Sequence, residues 1–143
     1  MFTGKDNVNI AKRIDNDSHL LKEISKQLIA RLKETGVEED IIFDIHVGFE
    51  EALRNAMIHG NQNDPSKKVT VGYDLTDKSV TISVEDEGKG FDPEMLPDPT
   101  RQENLLKESG RGVYMMKHLM DDVTYENGGR KVVMVKHFDR KHR

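Results

Sequence analysis

The chain has no cysteine, only four prolines, few aromatics and no long apolar run. Without cysteine there can be no disulfide, no thiolate metal site and no cysteine nucleophile. That absence fits a reducing cytoplasm. No secretory h-region and no apolar stretch of membrane-spanning length is present, so the expected location is cytoplasmic, with no membrane partner. Charge of one sign is also lacking: 22 Lys and Arg stand against 26 Asp and Glu, a net charge of −4. A sequence-independent nucleic-acid binder needs many cations to meet phosphates, so direct nucleic-acid binding is not expected. No internal repeat is visible.

What is present suits a soluble globular fold. Hydrophobic residues make up 35% and charged residues 34% of 143 residues, enough for one real core. One domain over residues 1–143 is expected. A first strand is expected over 7–14. Asp17 or Ser18 offers an N-cap for a helix whose apolar positions are Leu20, Leu21, Ile24, Leu28, Ile29 and Leu32, closed by Gly36. A second helix is expected from about Glu38 to His59. Val69, Val71, Tyr73 and Leu75 alternate with polar residues. So do Val80, Ile82 and Val84 after a turn at Thr76-Asp77-Lys78. Residues 91–109, with Pro93, Pro97 and Pro99, read as a long loop of the functional or mobile kind. A third helix should start near Gly112 and cover Val113 to Met120. Strands should follow near Val123–Glu126 and Lys131–Phe138. The expected class is α/β: an α+β two-layer sandwich with a mixed, mostly antiparallel sheet and about three helices on one face.

Three segments carry chemistry. On the second helix Glu51 and Asn55 sit four apart and share a face. A helical projection puts Ile42, Ile45, Phe49, Leu53 and Ala56 in the apolar stripe. Asp44, Gly48, Glu51, Asn55 and His59 border it, and Glu50 and Arg54 point to solvent. An amide oxygen suits Mg²⁺, and a carboxylate one turn earlier can accept a proton from a hydroxyl or water. Taken alone, such a pair is more often a solvated polar stripe.

Continuing the alternation Val80, Ile82, Val84 puts Asp86 on the inward face, with Gly88 and Gly90 just beyond. An ionised carboxylate only accepts hydrogen bonds, so it favours the exocyclic amine of adenine over the carbonyl of guanine. The plain alternative is turn chemistry. Third, Ser109-Gly110-Arg111-Gly112 precedes a helical pattern, where backbone N–H groups make an anion site. Lys107 and Arg111 are cations within reach of a β- or γ-phosphate. A lone Gly-x-Gly is equally a common way into a helix.

In this order the three segments resemble the GHKL ATP-binding domains, the family of gyrase-type topoisomerases, Hsp90-type chaperones, histidine kinases and mismatch-repair proteins. Glu51 to Asn55 is similar to its N-box, Asp86 to Gly90 to its G1 box, and Gly110 to Gly112 to its G2 box. The run Glu51-Ala52-Leu53-Arg54-Asn55-Ala56-Met57-Ile58-His59-Gly60-Asn61, together with Gly112 through Val123, most resembles the bacterial serine-kinase anti-sigma factors. The likeness covers nearly the whole chain and implies a Bergerat-type ATP-binding fold with residues 91–109 as the ATP lid. It implies ATP and Mg²⁺ as cofactors, Asn55 as the metal ligand and Glu51 as the catalytic base. Asp86 would hold the adenine amine, with Gly88 and Gly90 beside the ring and Gly110 and Gly112 shaping the phosphate lid. The implied partners are a STAS-type antagonist, phosphorylated on Ser or Thr, a sigma factor, and a second copy of the chain. Two departures stand out. Gly129-Arg130 replaces the Gly-Thr pair common before the last strand, and Lys107-Glu108 leaves the γ-phosphate cation open between Lys107 and Arg111.

The expected function is therefore an ATP-dependent serine/threonine kinase acting as an anti-sigma or similar partner-switching regulator. A non-catalytic, nucleotide-switched binding module is the alternative, and the catalytic half of a split histidine kinase is a third reading. Ser18-His19-Leu20 is similar to a phosphoacceptor box but lacks the proline that follows it, so His19 reads as an exposed helix-start residue. The basic run Lys136 to Arg143 reads as a frayed, solvated end. The seven methionines read as core fillers.

Overall fold

The structure is a computed structural model, and it describes residues 7–90 and 108–139. Among the described residues, five strands and three α-helices follow in the order β1 (Val8–Asp15), α1 (Ser18–Glu34), α2 (Glu39–Arg54), β2 (Lys68–Leu75), β3 (Ser79–Glu85), α3 (Glu108–Leu119), β4 (Asp122–Glu126) and β5 (Lys131–His137). The strands form one sheet in the order β1-β2-β3-β5-β4. Every pairing among the described residues is antiparallel, so the sheet is not mixed.

Alternation sets the inner face. Val69, Val71, Tyr73 and Leu75 on β2 and Val80, Ile82 and Val84 on β3 are all buried, while their neighbours are partly or fully exposed. The β2–β3 register places Val71 opposite Val84 and Tyr73 opposite Ile82, so the apolar rows coincide. The helices cover this face. Asp17 caps α1 by accepting from the N–H groups of His19 at 2.8 Å and Leu20 at 3.2 Å, which leaves His19 at an exposed helix start as expected. Leu21, Ile24, Leu28 and Leu32 then turn inward. Ile41, Ile42, Ile45, Phe49 and Leu53 do the same for α2. Each such side chain contributes roughly 1.5–3 kcal/mol on burial. Met116, Met120 and Met134 complete the core.

Three further features depart from the pattern expected of the sequence. The second helix does not run unbroken to His59. Its α-helical part ends at Arg54 and Asn55–Gly60 form a π-helical turn, with the Asn61 N–H bonded to the Ala56 carbonyl five residues back at 2.8 Å. The third helix begins at Glu108, not near Gly112. Glycines disfavour a helix by about 1 kcal/mol each. Burial of Val113, Met116 and Met120 and packing on α2 override that preference. The third concerns Lys136, which is not part of a solvated tail. It takes an inward place in the β5 row with Val132 and Met134 and is 2% exposed. Its ammonium reaches Asp44 Oδ2 on α2 at 3.2 Å and donates to the Leu119 carbonyl at the end of α3. An inward lysine persists because both partners satisfy it.

Candidate functional site

The seat of the site is the junction of α2, the π-turn and the end of β3. Glu51 lies in the last α-helical turn, and Asn55 opens the π-turn. Glu50 faces outward beside His46, at 3.4 Å, so Glu51 is the acid on the α3 side. Above it lies α3. A Cβ added to Gly112 would stand 2.7 Å from Glu51 Oε2, 3.1 Å from Asn55 Nδ2 and 3.3 Å from Asn55 Oδ1. Gly112 therefore brings the α3 backbone against both polar side chains at once, and a side chain there would have to displace Glu51. Gly110 and Arg111 belong to the first turn of α3 rather than to a loop before it. Lys107 and residues 91–107 lie outside the described residues.

Asp86 follows directly on β3. Its N–H donates to the Arg130 carbonyl at 2.9 Å, and its Oδ1 accepts from the Gly88 N–H at 2.8 Å. A methyl at Gly60 would overlap the Asp86 carboxylate, and one at Gly88 would overlap the Gly60 carbonyl. The end of the π-turn and the loop after β3 thus pack backbone to backbone. Burial raises the Asp86 pKa above its ordinary value. The Gly88 N–H, Arg130 and Lys67 oppose that rise, and Glu85 adds to it. Across the same junction, burial, helped by Arg54, lowers the His59 pKa against the pull of Glu51.

Asn61 holds this junction together. It is wholly buried. Its Nδ2 donates to the Lys68 carbonyl at 3.0 Å and to Asn16 Oδ1 at 3.3 Å, and its Oδ1 accepts from the Glu87 N–H at 2.8 Å. One amide thereby fixes the π-turn to the start of β2 and to the loop after Asp86. In the sequence Asn61 is only the last residue of the run from Glu51. Nothing local in a sequence distinguishes a buried amide hub from a polar helix end.

A cavity of about 340 Å³ opens between these elements. Asn55 and Asp86 both line it, and so does Gly90. Its apolar walls come from Ala52, Val84, Val113, Met116 and Val132. Tyr125 on β4 lines it too, and burial pushes its phenol above the ordinary value. Tyr125, Met116 and Arg130 were not among the sequence candidates. A carboxylate in such a cavity can accept from an amine, and an amide oxygen can meet a hard cation. Asn55 and Asp86 therefore share one space, whereas Glu51, Gly88 and Gly112 are not among its lining residues.

The sequence family described as "Histidine kinase-like ATPase domain" matches residues 14–136, which takes in every segment of this site. The chain belongs to that family. Among similar proteins, the serine-protein kinase RsbW of Bacillus subtilis (strain 168) is 30% identical over 111 residues, covering 73% of this chain and 69% of that one. The anti-sigma F factor of Geobacillus kaustophilus is 37% identical over 105 residues, covering 68% of this chain and 70% of that one. A crystal structure of the RsbU and RsbW domains of a Mycobacterium tuberculosis protein superposes with a TM-score of 0.61 at 21% identity. That match covers 91% of this chain and 31% of the longer one, and it speaks to the fold alone. Among the described residues, no helix of this family member is long and apolar enough to cross a membrane.

Proposed function

We propose that this member of the histidine kinase-like ATPase family is an ATP-dependent serine/threonine kinase. It would act as an anti-sigma or similar partner-switching regulator on a STAS-type antagonist. A sigma factor and a second copy of the chain are its further proposed partners, and the cytoplasm its proposed place of action. The observation that carries the reading is the single cavity shared by Asn55 and Asp86, with Gly112 laid against Glu51 and Asn55. The relatives named serine-protein kinase and anti-sigma F factor support the same direction.

In this reading Asp86 accepts from the adenine amine with Gly88 and Gly90 beside the ring, where the space a side chain would take is filled by the Gly60 and Gly128 carbonyls. Asn55 would hold Mg²⁺. Its amide oxygen is a hard donor and fits Mg²⁺, which is commonly held by few protein oxygens together with nucleotide phosphates and water. When bound, the ion would neutralise charge on the phosphates. Gly110 and Gly112 set the α3 backbone near them, and Lys107 and Arg111 are the candidate γ-phosphate cations. Glu51 takes the proton as the partner's hydroxyl oxygen bonds to the γ-phosphorus and the bond to the β-phosphate oxygen breaks, releasing ADP. Catalysis is mostly positioning.

The test is transfer of radiolabelled γ-phosphate from ATP to a STAS-domain partner with and without Mg²⁺. Acid-stable phosphoserine or phosphothreonine that disappears with EDTA is the expected result. Tight ATP binding with no transfer to any such partner would favour the non-catalytic module. Acid-labile phosphohistidine would favour a split histidine kinase.

A further inference from the structure

Arg130 touches the base-reading segment twice. Its carbonyl accepts from the Asp86 N–H at 2.9 Å, and its Nε donates to the Gly88 carbonyl at 2.7 Å. Nη1 reaches back to the Asn127 carbonyl at 3.2 Å. The two loops so joined are already in contact, since a methyl at Gly90 would overlap the Gly128 carbonyl. The guanidinium therefore spans the seam between the loop after β3 and the turn before β5. It also lines the cavity that holds Asp86. The side chain is exposed, so it is not a core residue whose presence the fold explains.

We propose that Arg130 is a specificity-determining positioning residue, which clasps the Gly88–Gly90 segment across the cavity rim and sets the base end for a 6-aminopurine over a 6-oxopurine. The inference rests on the ATP-binding reading and deepens it. Its physical content is the state of Asp86. An ionised carboxylate only accepts, and so suits an exocyclic amine. A protonated one can donate, and so tolerates a carbonyl at the same place. Burial most disfavours the ionised form, the Gly88 N–H favours it, Arg130 favours it next, Glu85 disfavours it and Lys67 favours it. His59 and Lys89 line the same cavity. A guanidinium stays charged at every working pH, so Arg130 supplies a constant positive charge beside the carboxylate. Lysine offers the charge without the fork. Glutamine offers a donor without the charge.

Calorimetric titration of ATP and GTP between pH 5 and 8 tests this on the wild-type chain and on Arg130→Met, Arg130→Gln and Arg130→Lys. The expected result is a roughly 10- to 100-fold weaker ATP affinity in Arg130→Met, about the value of one charge-assisted hydrogen bond. The ATP-over-GTP preference should collapse towards pH 5 in Arg130→Met and Arg130→Gln and persist in Arg130→Lys. Thermal melts of the nucleotide-free variants should stay near that of the wild type. Equal loss of ATP and GTP affinity, with an unchanged pH profile in all three variants, would make Arg130 merely structural and overturn the inference. Unchanged affinity and preference in Arg130→Met would overturn it too. A wild-type chain that binds no ATP would sink the kinase reading along with it. Wild-type binding with unaltered variant selectivity sinks this inference alone.

Discussion

Gly112 stands so close over Glu51 that a methyl carbon there would lie 2.7 Å from Glu51 Oε2. The nearest obstacle is the far end of a flexible side chain, so the helix can accommodate alanine by moving Glu51. Alanine also gains about 1 kcal/mol of helix propensity over glycine. Gly112→Ala is therefore expected to leave stability within about 1 kcal/mol of the wild type, since propensity and crowding offset each other. Phosphoryl transfer should nevertheless fall by at least tenfold. Urea unfolding beside a transfer assay checks the pair. A variant with unchanged transfer would show that the Glu51 position is not demanding.

Glu51→Gln separates binding from chemistry. The amide keeps the shape and loses the basic oxygen. ATP affinity should stay within about threefold, because Glu51 is not among the cavity-lining residues. Transfer should drop by roughly 10²–10⁴, the usual contribution of a positioned base. Single-turnover kinetics with saturating ATP would decide, and equal rates in both proteins would remove Glu51 from its proposed role.

Asp86→Asn should make the nucleotide-free protein more stable and less able to bind. Burial lifts the Asp86 pKa from its ordinary value of 3.8, so the folded state holds the proton more tightly than the unfolded one. The stability this group contributes is complete below the ordinary carboxylate range and is lost as pH rises through the raised value. Near neutral pH the ionised group is thus a liability that the amide removes. The apparent Tm of the variant should exceed that of the wild type at pH 7, and the gap should narrow on acidification. ATP should no longer raise Tm. A variant less stable than the wild type at pH 7 contradicts this account.

Lys136→Ala removes the ammonium that joins Asp44 to the Leu119 carbonyl. The loss exposes Asp44 to a poorer environment and empties a core position, at a cost of roughly 3 kcal/mol. Equilibrium denaturation measures it directly. Because the same ammonium ties α2 to the end of α3, the variant should also bind ATP more weakly under conditions where it remains folded. A loss below about 0.5 kcal/mol would mean the pair is a solvated one.

The strands and the first helix were legible because period 2 and period 3.6 are strong signals when one face is buried. Val69 to Leu75 and Leu21 to Leu32 lie where those periods put them. Asp86 was legible for the same reason, as the next inward position after Val84. The π-turn was not, because over six residues an apolar pattern cannot distinguish i→i+5 from i→i+4 bonding. The start of α3 was misplaced because two glycines read as a loop until packing on α2 is known. Lys136 carried the wrong label because composition near a chain end outweighed the Val132–Met134 alternation. The remaining cavity walls, Met116 and Tyr125, come from separate elements, and only the folded chain brings them to Asp86.

The wide turn at Asn55–Gly60 makes this stretch a spacer with a fixed residue count. Dropping one residue would tighten it to an ordinary helical turn and swing Gly60 and Asn61 about 100° around the axis. Asn61 would then miss both the Lys68 carbonyl and the Glu87 N–H that it now bridges. The length of this stretch is therefore as constrained as Gly60 itself, where a methyl would overlap the Asp86 carboxylate.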